Sequence, residues 1–316
     1  ATSYSWTGPA SYSSTTTGAA QTYTVPATTA SGNYSVTVTF PGSGCTSAPT
    51  ASSFVNVSPN PVAYNVTGGG TICSGDAGVH IGLDWSITGI NYQLYNGSTA
   101  TGSPVAGSTS ALDFGLITTA GTYTVKATNA STGCVNDMTG SVNVTVNPLP
   151  ATFAVTGGGT ACQGSAGVAV GLANSVSGIN YQLYNGASAV GSPVAGTGSA
   201  ISFGNQTASG TYTVLATNTT TSCSVAMTGS AVVVINPAPT AYALTGGGSY
   251  CSGGSGLAIG LANSQSGINY RLYNGATAVG SIVAGTGSAI SFGTYTASGT
   301  YTVLATNTTT TCTGAM

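Results

Sequence analysis

Charge is nearly absent from this sequence. Its 316 residues include two Lys+Arg (Lys126, Arg271), four Asp, no Glu and one His. Two cations cannot supply the basic surface that nucleic acid requires, so no nucleic-acid partner is expected. One His and four Asp leave little for acid–base catalysis, and neither an enzyme nor a cofactor is expected. Long apolar runs are missing too. The longest aliphatic run, Ala231 to Ile235, falls far short of the ~20 residues that span a bilayer, so no membrane insertion is expected of this segment. No signal peptide is visible, and a start at Ala1 fits a processed product or a window from a longer chain. Strong helix formers are scarce, whereas Val, Thr, Tyr and 48 Gly are plentiful, which favours strands and turns. Disorder is excluded by 41% hydrophobic residues that alternate along the chain.

The cysteines expose a repeat. Cys45, Cys134, Cys223 and Cys312 are spaced by 89 residues, and so are Cys73, Cys162 and Cys251. Tyr34, Tyr123, Tyr212 and Tyr301 keep the same phase, as do Pro59, Pro148 and Pro237. Cuts after the prolines give four repeats: 1–59, short of its opening; 60–148; 149–237; and 238–316, short of its last strand. Within a repeat the cysteines stand 61 residues apart. That spacing predicts bridges 73–134, 162–223 and 251–312, with the partner of Cys45 outside the fragment. Disulfides imply an oxidising or extracellular setting.

A period of 89 residues is too long for a solenoid coil and suits a β-sandwich. In the third repeat, alternating segments at 154–156, 168–172, 179–184, 200–203, 211–216 and 231–235 predict six or seven strands. Asn96-Gly97, Asn185-Gly186 and Asn274-Gly275 predict type I′ hairpins. The glycine triplets at 68–70, 157–159 and 246–248 predict a turn or bulge leaving the first strand, since no Lys-Ser/Thr follows to make a phosphate loop. The sequences Gly121-Thr122-Tyr123 and Gly210-Thr211-Tyr212 resemble the immunoglobulin strand-F corner, in which a tyrosine hydroxyl braces the turn. Tyr34, Tyr123, Tyr212 and Tyr301 are therefore assigned structural roles. In antibody domains a Cys follows that Tyr by two residues, but here Val36, Val125, Val214 and Val303 do. The bridge is accordingly expected between two loops at one end of the sandwich. The fold class is all-β: tandem immunoglobulin-like sandwiches, arranged as a rod with a rise of roughly 40 Å per repeat.

Three further groups of residues have readings. Alternation places Val79, Ile81, Leu83 and Trp85 on the core face, with His80 and Asp84 facing solvent and binding no metal. Tyr92 and Leu94 share the core side, leaving Tyr95, with its equivalents Tyr184 and Tyr273, as an exposed candidate contact for surface glycans or a neighbouring fibre. Trp6 is assigned to the core of the first repeat.

The motifs Tyr4-Ser5-Trp6-Thr7-Gly8-Pro9, Ser31-Gly32-Asn33-Tyr34-Ser35-Val36, Gly44-Cys45 and Val57-Ser58-Pro59-Asn60-Pro61 resemble the PKD-type, immunoglobulin-like repeats of large Bacteroidota surface proteins, among them gliding-motility-type adhesins exported by the type 9 route. The later repeats are similar to a sister repeat with Asn-Tyr-(Gln/Arg)-Leu-Tyr-Asn-Gly. The resemblance implies a cell-surface stalk or fibre whose partners are neighbouring repeats and other copies. A carbohydrate- or surface-binding array using the three tyrosines is the alternative. The near absence of charge predicts self-association that is indifferent to salt.

Overall fold

A computed structural model describes residues 2–18, 31–48 and 50–316. The described residues contain strands and turns and no helix. They divide into two compact units, Ala1–Asn147 and Pro148–Met316.

The first unit opens with an antiparallel sheet of β1 (Ser3–Gly8), β2 (Tyr12–Thr17), β3 (Gly32–Thr39) and β4 (Thr50–Val55), in the order β2-β1-β3-β4. Trp6 lies opposite Val36, the equivalent of the core residue Val125, and is half-buried, with Nε1 donating to Thr16 Oγ1. Tyr34 is buried. Nine strands follow: β5 (Val66–Gly68), β6 (Gly70–Cys73), β7 (Val79–Leu83), β8 (Ile90–Asn96), β9 (Thr99–Ala106), β10 (Leu112–Ile117), β11 (Gly121–Asn129), β12 (Val135–Asp137) and β13 (Val142–Asn147). They make a three-stranded sheet, β10-β7-β5, and a six-stranded sheet, β6-β13-β11-β8-β9 with β12 on β11. Ile81 and Leu83 from the first sheet meet Tyr92, Leu94, Tyr123 and Val125 from the second, all buried.

The second unit repeats this plan with β14 (Val155–Gly157), β15 (Gly159–Cys162), β16 (Val168–Leu172), β17 (Ile179–Asn185), β18 (Ser188–Ala195), β19 (Ile201–Gln206), β20 (Gly210–Asn218), β21 (Ser224–Ala226) and β22 (Ala231–Asn236). Its sheets are β14-β16-β19 and β15-β22-β20-β17-β18, with β21 on β20. A last sandwich is built from β23 (Leu244–Gly246), β24 (Leu257–Leu261), β25 (Ile268–Asn274), β26 (Thr277–Ala284), β27 (Ile290–Tyr295), β28 (Tyr301–Asn307) and β29 (Thr313–Ala315). Its sheets are β23-β24-β27 and β26-β25-β28-β29.

Nine strands in each middle repeat exceed the six or seven expected. In the third repeat β15, β18 and β21 are the additions, and β15, like β6 in the second, has a clear cause. The glycine triplet divides the first strand, so β5 pairs with β7 in one sheet while β6 pairs in parallel with β13 in the other. Gly68 makes the crossing with φ +92, and a Cβ there would fall 2.0 Å from the His80 carbonyl oxygen. Only glycine tolerates both conditions.

The hairpin expectation changes in detail. Asn96 pairs with Thr99, so the two loop residues are Gly97 and Ser98, not Asn-Gly. Gly97 alone has positive φ, +59, which fits a type II′ turn with glycine first. Asn96 ends the strand instead, and its Nδ2 donates to Ala120 O and to the Tyr123 hydroxyl. Trp85 also departs from its expected core position. It lies beyond the end of β7, where alternation stops, and is 46% exposed.

Candidate functional site

The cysteines form the feature with most consequence, and they do not pair as the spacing suggests. Cys162 is bonded to Cys312, with Cα atoms 5.5 Å apart and a sequence separation of 150. Cys73 and Cys223 are also disulfide-bonded, whereas Cys45, Cys134 and Cys251 are free. The expected bridges 73–134, 162–223 and 251–312 are therefore all corrected.

Strand direction explains why. Cys162 ends β15, opposite Asn236 at the end of β22, where the chain leaves the third repeat. This trailing pole lies beyond the start of β20, because Gly210 is opposite Val233. Cys223 lies past the other end of β20, its carbonyl accepting from the Asn218 amide. Nine residues of strand, about 30 Å, separate the two poles, and a disulfide requires Cα atoms within about 7 Å. A bridge inside the repeat is geometrically closed off. Cys312 follows β28 in the same way, at the leading pole of the fourth repeat, with its carbonyl accepting from Asn307. There Gly314 packs directly on Pro239 of the connecting segment. The trailing pole of one sandwich thus faces the leading pole of the next, and the bond crosses between them. Its separation of 150 is one period of 89 plus the in-repeat spacing of 61.

Three tyrosine hydroxyls brace the turn that leads into their strand. The hydroxyls of Tyr123, Tyr212 and Tyr301 each donate over 2.8 Å to a carbonyl four residues upstream: Thr119, Ala208 and Ala297. A second tyrosine set, which alternation marks only as core, also uses its hydroxyls. The buried hydroxyls of Tyr92, Tyr181 and Tyr270 accept from the amides of Ile87, Val176 and Gln265. Burial raises the Tyr92 and Tyr123 hydroxyl pKa values above the ordinary tyrosine value.

The candidate contact residues Tyr95, Tyr184 and Tyr273 are half-buried on the outer face of their sheets. A cation stands near the ring of Tyr95. Lys126 Nζ stands 6.0 Å from its ring centroid and 3.7 Å from Asp137 Oδ1. Leu215 and Leu304 replace Lys126 in the later repeats, so this arrangement is not periodic. His80 and the other aspartates are tied into local structure. His80 Nδ1 is 2.8 Å from Asp113 Oδ2, both exposed, and Asp84 accepts from the backbone and side-chain nitrogens of Asn65. Asp76 accepts from the Cys73 amide. Among the described residues, no three His, Cys, Asp or Glu side chains cluster as a metal site would.

Residues 61–148 match the family described as Ig-like domain, CHU_C associated. None of the curated proteins matches. Among solved structures, immunoglobulin domains 1–4 of Sidekick-1 align over 100% of this chain and 89% of theirs, at 12% identity and a TM-score of 0.24. Extracellular domains 3–5 of Drosophila OTK align over 81% of this chain and 95% of theirs, at 11% identity and a TM-score of 0.27. The fibronectin(III)-like modules of Clostridium thermocellum CbhA align over 56% of this chain and 92% of theirs, at 13% identity and a TM-score of 0.27. The family match and the sheet topology make this chain a tandem series of immunoglobulin-like β-sandwiches. Sandwiches of this kind that carry disulfides fit a secreted or cell-surface structural or adhesion-type module.

Proposed function

We propose that this chain is a stalk or fibre segment of a bacterial cell-surface adhesin or extracellular filament. The observation that carries the reading is the Cys162–Cys312 bond. It joins successive sandwiches rather than closing one. Tension applied at Pro148 and Met316 passes through residues 148–162, the sulfur pair and residues 312–316. The 149 residues between the cysteines lie outside that path. They hold roughly 500 Å of extended chain, at 3.3–3.6 Å per residue, that tension cannot release while the bond is intact. A binding module has no need of such a bypass. A load-bearing segment does. The partners are then neighbouring repeats and other copies of the fibre, and the nearly uncharged surface favours lateral association.

The test is single-molecule stretching of the full chain, held at residue 148 and at the C-terminus. Without reductant, the roughly 500 Å of hidden length stays hidden. With dithiothreitol it is released as the sandwiches unfold. Equal extension in both conditions would overturn the bypass. Glycan binding that disappears in the Tyr95→Ala/Tyr184→Ala/Tyr273→Ala variant would instead support the carbohydrate-binding reading.

A further inference from the structure

Asparagine followed by glycine cyclises in water more readily than other pairs, because glycine has no Cβ to shield its amide nitrogen. Three such pairs occur in the sequence, Asn96-Gly97, Asn185-Gly186 and Asn274-Gly275, in phase with the repeat. Cyclisation makes two demands. The glycine nitrogen must lose its proton, and the asparagine Cγ must swing round to meet it. Each of these asparagines ends a strand, β8, β17 or β25, beside the corner that Tyr123, Tyr212 or Tyr301 braces.

In the folded chain both groups are tied. The amides of Gly97, Gly186 and Gly275 donate to the carbonyls of Thr122, Thr211 and Thr300 over 3.0, 3.3 and 3.0 Å. The side-chain amides of Asn96, Asn185 and Asn274 donate to the carbonyls of Ala120, Ser209 and Ser298 over 3.1, 3.3 and 3.2 Å. Their Oδ1 atoms rest against Gly121, Gly210 and Gly299, where any Cβ would collide with them. The glycine of each Gly-Thr-Tyr corner is thus the seat of an asparagine amide. Both tethers run to the same partner, the start of β11, β20 or β28 or the residues just ahead of it. β8 and β11, β17 and β20, and β25 and β28 are neighbours inside their sheets. Fraying of an outer strand leaves the tethers in place, and only separation of the two inner strands releases them.

We propose that Asn96, Asn185 and Asn274 are deamidation sites that the folded sandwich holds shut and that unfolding opens, so that a repeat once pulled or melted apart acquires a covalent mark that hinders its closing again. When the strands part, the Gly97 nitrogen gives its proton to hydroxide and attacks Asn96 Cγ. A C–N bond forms, and Nδ2 leaves as ammonia after taking a proton from water. Water then opens the ring at either carbonyl, leaving aspartate or isoaspartate at position 96. Aspartate brings a carboxylate that only accepts against Ala120 O and the Tyr123 oxygen, whose own proton already goes to Thr119 O. Isoaspartate routes the chain through its β-carboxyl and adds a backbone carbon ahead of the two-residue turn, where Asn96 must stay in register with both Thr99 and Tyr123. Neither product restores the corner. The inference adds to the stalk reading and does not depend on it.

The experiment incubates the full chain, disulfides intact, in mildly alkaline buffer, either folded or unfolded in guanidinium chloride. Peptide mass spectrometry then reads the exchange of NH2 for OH at each asparagine. The folded chain should be marked at least about a thousandfold more slowly at all three sites, since parting the inner strands draws on much of the folding free energy. After the denaturant is removed, unmarked chains should regain their melting transition, whereas chains marked at Asn96 should melt lower. The Asn96→Asp variant supplies one product directly and should also melt lower. A second variant tests the link to unfolding. Leu94→Ala hollows the core of the second repeat alone, and should speed marking at Asn96 about tenfold or more while leaving Asn274 unchanged. Equal rates in folded and unfolded chains would overturn the proposal. So would an equal rise at Asn96 and Asn274 in the Leu94→Ala variant, or marked chains that melt as the parent does.

Discussion

At the scale of single residues, tyrosine does work that charge does elsewhere. Each middle repeat buries two tyrosine hydroxyls, one donating across the strand-F corner and one accepting a loop amide. Tyr212→Phe should cost about 1 kcal/mol in chemical denaturation, the ordinary net value of a hydrogen bond. Alkali should act through the same groups. The folded pKa values of Tyr92 and Tyr123 are raised by burial, so the neutral hydroxyl is the folded form. Their contribution is complete below the unfolded tyrosine pKa, about 10, and is lost as pH rises through the higher folded values. The second repeat should therefore lose stability as pH rises above about 10, and lose less in Tyr92→Phe and Tyr123→Phe variants; chemical denaturation followed by far-UV circular dichroism at several pH values would measure it. The corner tyrosines were legible in the sequence because a Gly-Thr-Tyr motif in phase announces its own turn. The acceptor role of Tyr92 was not, since alternation marks a residue as inward without saying where its polar atom ends.

At the scale of strands, the apolar alternation located the central elements and missed the peripheral ones. β17 and β20 bury every second residue, and their signal is strong. β18 contains Gly191 and Pro193, is mostly exposed and sits at a sheet edge, so its composition reads as loop. β15 was hidden behind the glycine triplet for the same reason. The triplet makes a sharp prediction of its own. At Gly158 an alanine methyl would press on the Val232 carbonyl, while at Gly247 it would meet open space, with the same left-handed backbone in both. Gly247→Ala should cost about 1 kcal/mol from backbone strain alone. Gly158→Ala should cost at least about 1 kcal/mol more, because β22 must shift outward. Paired melting curves would separate the two terms.

For the whole molecule, the repeat period was readable from seven cysteines, but their pairing was not. Spacings of 61 and 150 both preserve the phase, and only strand direction reveals that the two cysteines of one repeat sit at opposite poles. A non-reducing digest should give a linked Cys162–Cys312 peptide, with Cys45, Cys134 and Cys251 alkylated before reduction. Loop-closure entropy assigns that bond about 5 kcal/mol, so reduction should lower Tm clearly. Salt should do little. Among the described residues the Lys126–Asp137 pair and the His80–Asp113 contact are exposed, and unfolding free energy should change by less than about 1 kcal/mol between low and high sodium chloride. The bond also sets an order of events in time. Cys312 is synthesised 150 residues after Cys162, a delay of roughly 8–30 s at 5–20 residues per second. Cys223 emerges well before it, while Cys162 is still a thiol. Correct oxidation therefore requires that the third sandwich close first, carrying its own two cysteines to opposite poles and leaving Cys162 to await the next repeat.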